Sequence, residues 1–557
     1  MHQNKKKLPI GIDNFEKLRL NDFYYVDKTG LIKELLKNWG EVNLFTRPRR
    51  FGKSLNMSML ENFFSIEKNQ EIFRGLEIVN ETALCEEYMG KYPVISVSLK
   101  GINAQTYEKA IEMTVQLIKG EARRFQYLLE SSRLTGYDKK AYTALLETDV
   151  DEGTLCSSLK VLSELLEKHY GKKVIILIDE YDVPLAKALE REYYDQMVIF
   201  IRNLFEYALK TNDSLKFAVL TGCMRISRES IFTGLNNFKV LAITDARFDE
   251  QFGFTEQEVS ELLETYHLEA HQAETKEWYD GYHIGGADVY CPWDVMNYLR
   301  DLQHDIMAKP ESYWKNTSDN AIIRSFIEYA GTNITKKMET LLAGNYIIQN
   351  IDENLTYDYL HSSEENLWSI LYLTGYLTRV RESELQAQIP EGTVALQIPN
   401  AEIKEIFETT VIKWFSDTAK NWNRNALFQA VWNSDVESLT VEMNILLRKT
   451  ISYHDYKEDF YHAFLAGIFT GAGYAVESNK EHGEGRSDIV VYDSVNGQVA
   501  VFEAKTSKTM DVMSRDCEDA IRQIDDRMYA KEYEDEYDHI LCYGISFFKK
   551  RCLVKKK

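Results

Sequence analysis

The chain has 557 residues, 27% of them charged and 44% hydrophobic, with only 8 prolines. Its formal net charge of −21 excludes a protein that coats nucleic acid through a generally basic surface, because such binding needs excess lysine and arginine facing phosphate. No window approaches the roughly 18 apolar residues of a membrane span, and the 7 scattered cysteines, none in CxxC spacing, support neither a disulfide framework nor a zinc site.

This length is too great for one ordinary core, so two to four domains are expected. The start, Met1-His2-Gln3 and then Lys5-Lys6-Lys7, lacks the apolar core of a signal peptide. A cytoplasmic, reduced protein with no membrane partner is the expectation. The closing residues Lys549-Lys550-Arg551 and Lys555-Lys556-Lys557 read either as a local basic groove or as a solvated tail.

In chain order, Val42 to Thr46 reads as a short apolar strand that runs into the loop "RPRRFGKS" and then a helix with apolar residues at Leu55, Met59, Leu60 and Phe63. The loop closes on Gly52-Lys53-Ser54, the ending of a phosphate-binding loop. There the backbone N–H groups and a helix N-terminus face the anion, the lysine reaches the β/γ-phosphates and the hydroxyl ligates Mg²⁺. Arg47 stands where that pattern has its first glycine, with a side chain that can point outward if φ stays negative. A strand at Val94 to Leu99 and a helix from Thr106 to Leu129 follow.

"VIILIDEYD" then supplies a strand, Val174 to Ile178, of the kind buried on both faces of a parallel sheet. Asp179 and Glu180 end it. In a nucleotide site Asp179 holds the Mg²⁺ water shell and Glu180 orients or deprotonates the attacking water; otherwise the pair is a solvated turn. Strands at Leu215 to Gly222 and Phe238 to Thr244 complete an α/β parallel sheet with flanking helices. Thr221 ends one of them as a polar sensor beside the γ-phosphate. Arg225 and Arg228 either neutralise transition-state charge, in cis or across a subunit interface of a homo-oligomer, or are surface residues paired with Glu229 or Asp245.

The stretches "LPIGIDNFEKLRLNDFYYVDKTGLIKELL", "RPRRFGKSLNMSML", "LIDEYDVPL", "TGCMRISRESIFTGLNN" and "WYDGYHIG" together resemble the AAA-ATPase-like family, related to STAND-type ATPases. The resemblance implies a P-loop fold over about the first half of the chain, with ATP and Mg²⁺ as cofactors. It places Arg49, Arg50, Phe51, Gly52, Lys53 and Ser54 in the nucleotide loop, leaves Arg47 as the single departure, and marks Asp27-Lys28 as a family feature. Lys28 then either reaches the nucleotide or lies at the surface.

From about Thr255 the pattern is helical and aromatic. Between Leu367 and Asn400 a helix precedes two strands, "YLTRV" and "TVALQIPN", an arrangement similar to a winged helix. The last ~110 residues begin again as a small α/β unit: helix "DFYHAFLAGIF", strands "YAVES", "SDIVVYD" and "QVAVFEAK", helix "CEDAIRQIDDRMY" and strand "HILCYGISF". Glu503 and Lys505 are two apart on one strand and share a face, and a hairpin brings Asp488 beside them. Two carboxylates with a neighbouring lysine can bind Mg²⁺ and orient a water for phosphodiester attack.

This spacing resembles the PD-(D/E)XK nuclease superfamily over about residues 450 to 548. The resemblance implies that Asp488 and Glu503 hold the metal with Lys505 beside them, that Glu458 assists from the first helix, that Arg486 contacts the nucleic-acid backbone, that Gln523 faces the site and that Glu477 is a family position. The expected division is a P-loop domain over residues 1–265, a helical and winged-helix-like region over 266–445 and a nuclease-like domain over 446–557. Two functions stay open: an ATP-binding, ATP-hydrolysing protein coupled to Mg²⁺-dependent cleavage of DNA or RNA, or a nucleotide-dependent switch whose nuclease fold serves for docking.

Overall fold

The structure is a computed structural model. It describes residues 6–224, 237–314, 337–338, 340–353, 355, 364–385, 388–419, 425–450, 458–471, 474–482, 485–534, 536–548 and 551–557. Two compact units are present. One comprises Met1–Tyr313 with Gln349–Asn400, the other Trp314–Ile348 with Ala401–Lys557.

The first unit is built on five parallel strands: β1 (Val42–Thr46), β2 (Val94–Ser98), β3 (Val174–Asp179), β4 (Leu215–Gly222) and β5 (Phe238–Leu241), in the order β2-β3-β4-β1-β5. These are the five expected strands. β1 and β3 are buried at every residue, as a strand covered by helices on both faces must be. Each such aliphatic side chain contributes about 1.5–3 kcal/mol of burial. The helix Tyr107–Arg123 starts at Thr106, whose hydroxyl accepts the Lys109 N–H, and presents Ala110, Val115, Ile118 and Ala122 to the core. It stops six residues short of the expected end, giving way to a 3-10 turn at Gln126–Glu130. β4 lies between β1 and β3, so the end of β4 sits between the phosphate-type loop after β1 and the acidic end of β3.

The same unit carries a hairpin of β6 (Tyr282–Ile284) and β7 (Ala287–Val289). It also carries β9 (Thr378–Arg379), β10 (Thr393–Gln397) and the last two residues of β8 (Ile347–Asn350), in a small sheet ordered β8-β10-β9. The helix Glu364–Leu373 precedes the antiparallel β9–β10 pair, the helix-then-hairpin arrangement expected from sequence.

In the second unit β11 (Ala475–His482), β12 (Gly485–Asp493), β13 (Gln498–Thr506), β14 (His539–Phe548) and β15 (Arg551–Lys556) lie side by side in chain order. β13 and β14 are parallel and the other pairs antiparallel. The helices Glu458–Gly471 and Met513–Asp526 belong to this sheet. β15 corrects the reading of the last residues as a groove or a solvated tail. Cys552 and Val554 alternate inward, Lys555 and Lys557 pair with Glu518 and Asp525, and Lys556 Nζ donates to Ser434 Oγ at 2.6 Å. Lys549 and Lys550 lie outside the described residues. The outer backbone of β15 is closed by the Asn444 amide, which donates to Cys552 O and accepts its N–H, both at 2.9 Å. An edge strand covered in this way offers little template for pairing with another chain.

Candidate functional site

In the first unit the loop after β1 enters the helix Lys53–Phe64 through Gly52, whose φ of 77° lies in the left-handed region and therefore favours glycine. Lys53 is buried and its Nζ turns back onto the loop, donating to Pro48 O at 2.8 Å and Arg47 O at 3.1 Å, with Cys223 Sγ 3.6 Å away. Ser54 Oγ donates to Asp179 Oδ2 at 2.6 Å, and Thr221 Oγ1 donates to Asp179 Oδ1. The Glu180 N–H reaches Thr221 Oγ1 at 3.4 Å. Ser54, Asp179, Glu180 and Thr221 therefore come together from β1's loop, β3 and β4, as their positions at the ends of adjacent parallel strands require.

Burial pushes the Glu180 carboxyl up, and the Lys53 charge partly opposes this. Glu180 also holds a φ of 50°, a strained conformation for a residue with a Cβ. Around it the turn is fixed by Asp182, whose Oδ2 accepts the N–H groups of Cys223 and Met224 at 2.9 and 3.1 Å. Tyr181 Oη donates to Met224 O at 2.6 Å. A Cβ on Gly222 would lie 2.5 Å from the Tyr181 ring, so only glycine fits there.

Arg47 does not point outward. Its side chain is fully buried, and the guanidinium donates to Thr46 O at 2.9 Å, Leu241 O at 2.8 Å and Phe248 O at 3.2 Å while covering the Phe252 ring at 5.1 Å. Burial lowers its pKa to about 10, with Asp245, Asp249 and Glu34 acting against that fall, so the group stays charged at neutral pH. The reason is geometric: carbonyls at the end of β5 and in the following loop need donors, and a five-donor fork placed at the loop entrance reaches them.

Lys28 neither reaches the loop nor lies at the surface. It is buried, and its Nζ donates to Glu258 Oε2 at 2.6 Å and Glu250 O at 2.7 Å. Desolvation pushes its pKa down, opposed chiefly by Glu258. Arg49 and Arg50 are half-buried. The Phe51 side chain packs edge-on against Tyr282 with centroids 4.9 Å apart, leaving its backbone as the part that can serve an anion. Arg225 and Arg228 lie outside the described residues.

In the second unit, Asp488, Glu503 and Lys505 converge. The β12–β13 ladder runs to the pair Ile489 and Phe502. Beyond it Asp488 Oδ2 accepts the Ala504 N–H at 2.7 Å. Lys505 Nζ donates to Glu503 Oε1 at 3.1 Å. Glu503 is fully buried, and its Oε2 has no hydrogen-bond partner among the described residues. A buried carboxylate oxygen left in that state is costly unless a cation or donor completes it, so the residues present fit a divalent ion. Burial first, and the Asp488 charge second, push the Glu503 carboxyl up to about 7, with Lys505 and His462 opposing.

That shift has a testable sign. A carboxyl raised from 4.5 to about 7 stabilises the fold fully below pH 4.5, and this contribution is lost as pH rises toward 7. In chelator, Glu503→Gln should remove that decline, so that the variant gains on the wild type between pH 5 and 8 by up to about 3 kcal/mol. Melting of both proteins across that range measures it, and parallel curves would contradict the burial argument.

Sequence reasoning missed His462. Its Nε2 lies 3.1 Å from Asp488 Oδ2, and both side chains are buried. The signal was a histidine on the apolar helix "DFYHAFLAGIF", one turn beyond the expected Glu458. The Glu458 and Arg486 side chains lie outside the described ones. Glu477 accepts from Tyr492 Oη at 2.6 Å, and Gln523 is half-buried on the helix Met513–Asp526.

Comparison with known proteins agrees with both halves. Residues 9–232 match the family described as "Predicted AAA-ATPase", and residues 456–557 match the PD-(D/E)XK nuclease superfamily. The chain is 25% identical over 558 residues to a protein of Azotobacter chroococcum mcd 1 described as "Uncharacterized protein in vnfD 5'region", covering 98% of this chain and 97% of the other. No solved structure matches. Residues 9–232 are thus similar to the predicted AAA-ATPase family, and residues 456–557 to the PD-(D/E)XK nuclease superfamily.

Proposed function

We propose that the first unit binds and hydrolyses ATP with Mg²⁺, and that the second cleaves DNA or RNA with a divalent ion. The observation that carries the nuclease reading is the buried Glu503 Oε2 beside Asp488, without a hydrogen-bond partner among the described residues. In the first unit, Lys53 would exchange two loop carbonyls for phosphate oxygens, and Ser54 and Asp179, already joined, would hold the nucleotide's Mg²⁺. Glu180, its carboxyl raised, is suited to take a proton from the attacking water. Thr221 fixes the Asp179 carboxylate.

In the second unit Asp488 and Glu503 would hold the divalent ion. Among the described residues no three histidine, cysteine, aspartate or glutamate side chains form a metal-holding group, so the remaining ligands of a bound ion would have to come from water and substrate. When bound, the ion supplies positive charge at the phosphodiester and acidifies a water. Lys505 stands beside the carboxylates to neutralise developing phosphate charge.

The test uses the full-length chain with Mg²⁺ and either ATP or a non-hydrolysable analogue, on single- and double-stranded DNA and RNA. Cleavage should require Mg²⁺ and should be lost in Asp488→Asn and Glu503→Gln, both retaining ATP binding. Intact substrates of every kind, from protein that binds ATP, would sink the nuclease reading. A second reading, a nucleotide-dependent switch whose nuclease fold only docks a partner, is favoured by the pairing of Lys555 and Lys557 with carboxylates, which removes two cations from nucleic-acid contact.

A further inference from the structure

We propose that His462 is a positioning residue of the Asp488–Glu503–Lys505 site, tying down one oxygen of Asp488 and so presenting the other to a divalent cation. The inference rests on reading that site as metal-dependent and adds a residue to it.

The two carboxylates are held in the same manner. On Glu503, Oε1 accepts from Lys505 Nζ at 3.1 Å while Oε2 is buried without a hydrogen-bond partner among the described residues. On Asp488, Oδ2 accepts the Ala504 N–H at 2.7 Å and lies 3.1 Å from His462 Nε2, a close ion-pair contact and not an aligned hydrogen bond. Its Oδ1 accepts no hydrogen bond among the described residues. Each carboxylate thus has one oxygen committed to protein and one that is not. Carboxylates that bind a cation through a single oxygen need such outer partners to fix their orientation, and loss of one partner typically weakens the metal 10–100-fold. The backbone N–H alone sets where Oδ2 sits. A second polar contact, from another element, restricts the plane of the carboxylate and hence where Oδ1 points.

The helix Glu458–Gly471 is well placed to supply that contact without slack. Tyr461, next to His462, stacks on Phe547 of β14 with centroids 4.0 Å apart and planes 9° from parallel. Two turns on, Phe469 packs on Phe502 of β13 at 5.0 Å. The histidine is therefore carried by a helix pinned to the sheet on both sides of it. Packing thereby holds the ring 3.1 Å from Asp488 Oδ2, where its protonated form attracts the carboxylate. Glu503 feels the same ring electrostatically, which places His462 within range of both carboxylates.

The experiment measures Mn²⁺ binding to the full-length chain by calorimetry and by electron paramagnetic resonance, without nucleic acid, so that no cleavage is needed. His462→Gln keeps a polar group near the Nε2 position, whereas His462→Asn is equally polar but too short to reach Asp488 Oδ2. Folding of each is checked by melting in chelator. The expected result is a Gln variant within about 3-fold of the wild-type affinity, an Asn variant weakened 10–100-fold, and no binding at this site in Asp488→Asn. If the folded Asn variant binds Mn²⁺ as tightly as wild type while Asp488→Asn does not, the positioning role is overturned and the metal reading survives. If wild type and Asp488→Asn bind alike, the metal reading falls and takes the role of His462 with it.

Discussion

Arg47→Gly, which restores the usual first glycine of a phosphate-binding loop, should destabilise the first unit by about 3 kcal/mol and lower its melting by several degrees. The guanidinium supplies the donors for Thr46 O, Leu241 O and Phe248 O inside the protein. Removing it takes donors from Thr46 O and Leu241 O, leaves Phe248 O with only the Gln251 N–H at 3.4 Å, and opens a cavity over Phe252. Each orphaned buried acceptor costs on the order of 1–3 kcal/mol, partly recovered where water enters. Arg47→Lys keeps the charge but cannot span three acceptors, because an ammonium is a point donor and a guanidinium a fork; it should fall between the two. Denaturant unfolding of the three proteins, followed by a signal from the first unit, measures the order. A glycine variant as stable as wild type would show that the arginine is dispensable to the fold, and the loop would then be an ordinary phosphate loop with a decorative first residue.

Lys53→Ala should weaken ATP binding at least 100-fold while changing nucleotide-free stability by less than about 1 kcal/mol. The asymmetry follows from where the lysine sits. Without nucleotide its Nζ bonds two carbonyls of its own loop, Arg47 O and Pro48 O, contacts that water can replace. In the proposed nucleotide complex it would face the β/γ-phosphates, where a charge-assisted bond in a partly dry site is worth far more. Wild-type melting should rise with ATP concentration by mass action, and the variant's should not. If both proteins gain equally from ATP, the nucleotide binds elsewhere and the loop loses its role.

Much of this architecture was legible because parallel strands buried on both faces leave a strong mark. "VIILID" and "LKFAVLTG" can hardly be anything else, and the ends of such strands are where polar side chains gather. Ser54, Asp179 and Thr221 followed from that rule. So did Asp488, Glu503 and Lys505, since residues two apart on a strand must share a face. What stayed hidden depends on partners far away in sequence. Nothing local to Lys28 announces Glu258, 230 residues on. Nothing at Arg47 shows that the end of β5 lacks donors. His462 looks like a core residue until the fold brings β12 to it. β15 was concealed by its lysines, because only Cys552 and Val554 carry the alternation that marks a strand.

Glu180 holds a left-handed backbone, φ 50°, and that constrains which residues can replace it. A carboxylate there is kept against a conformational preference of about 1 kcal/mol or more. Asparagine and glycine tolerate that backbone best, and alanine does not. Asparagine or glycine at position 180 would therefore relieve the backbone strain, and alanine would not. For the same reason the customary alanine substitution is the poorest probe of Glu180, since it removes the carboxylate while keeping the strain. Glu180→Asn should abolish turnover in a protein that melts higher than the wild type.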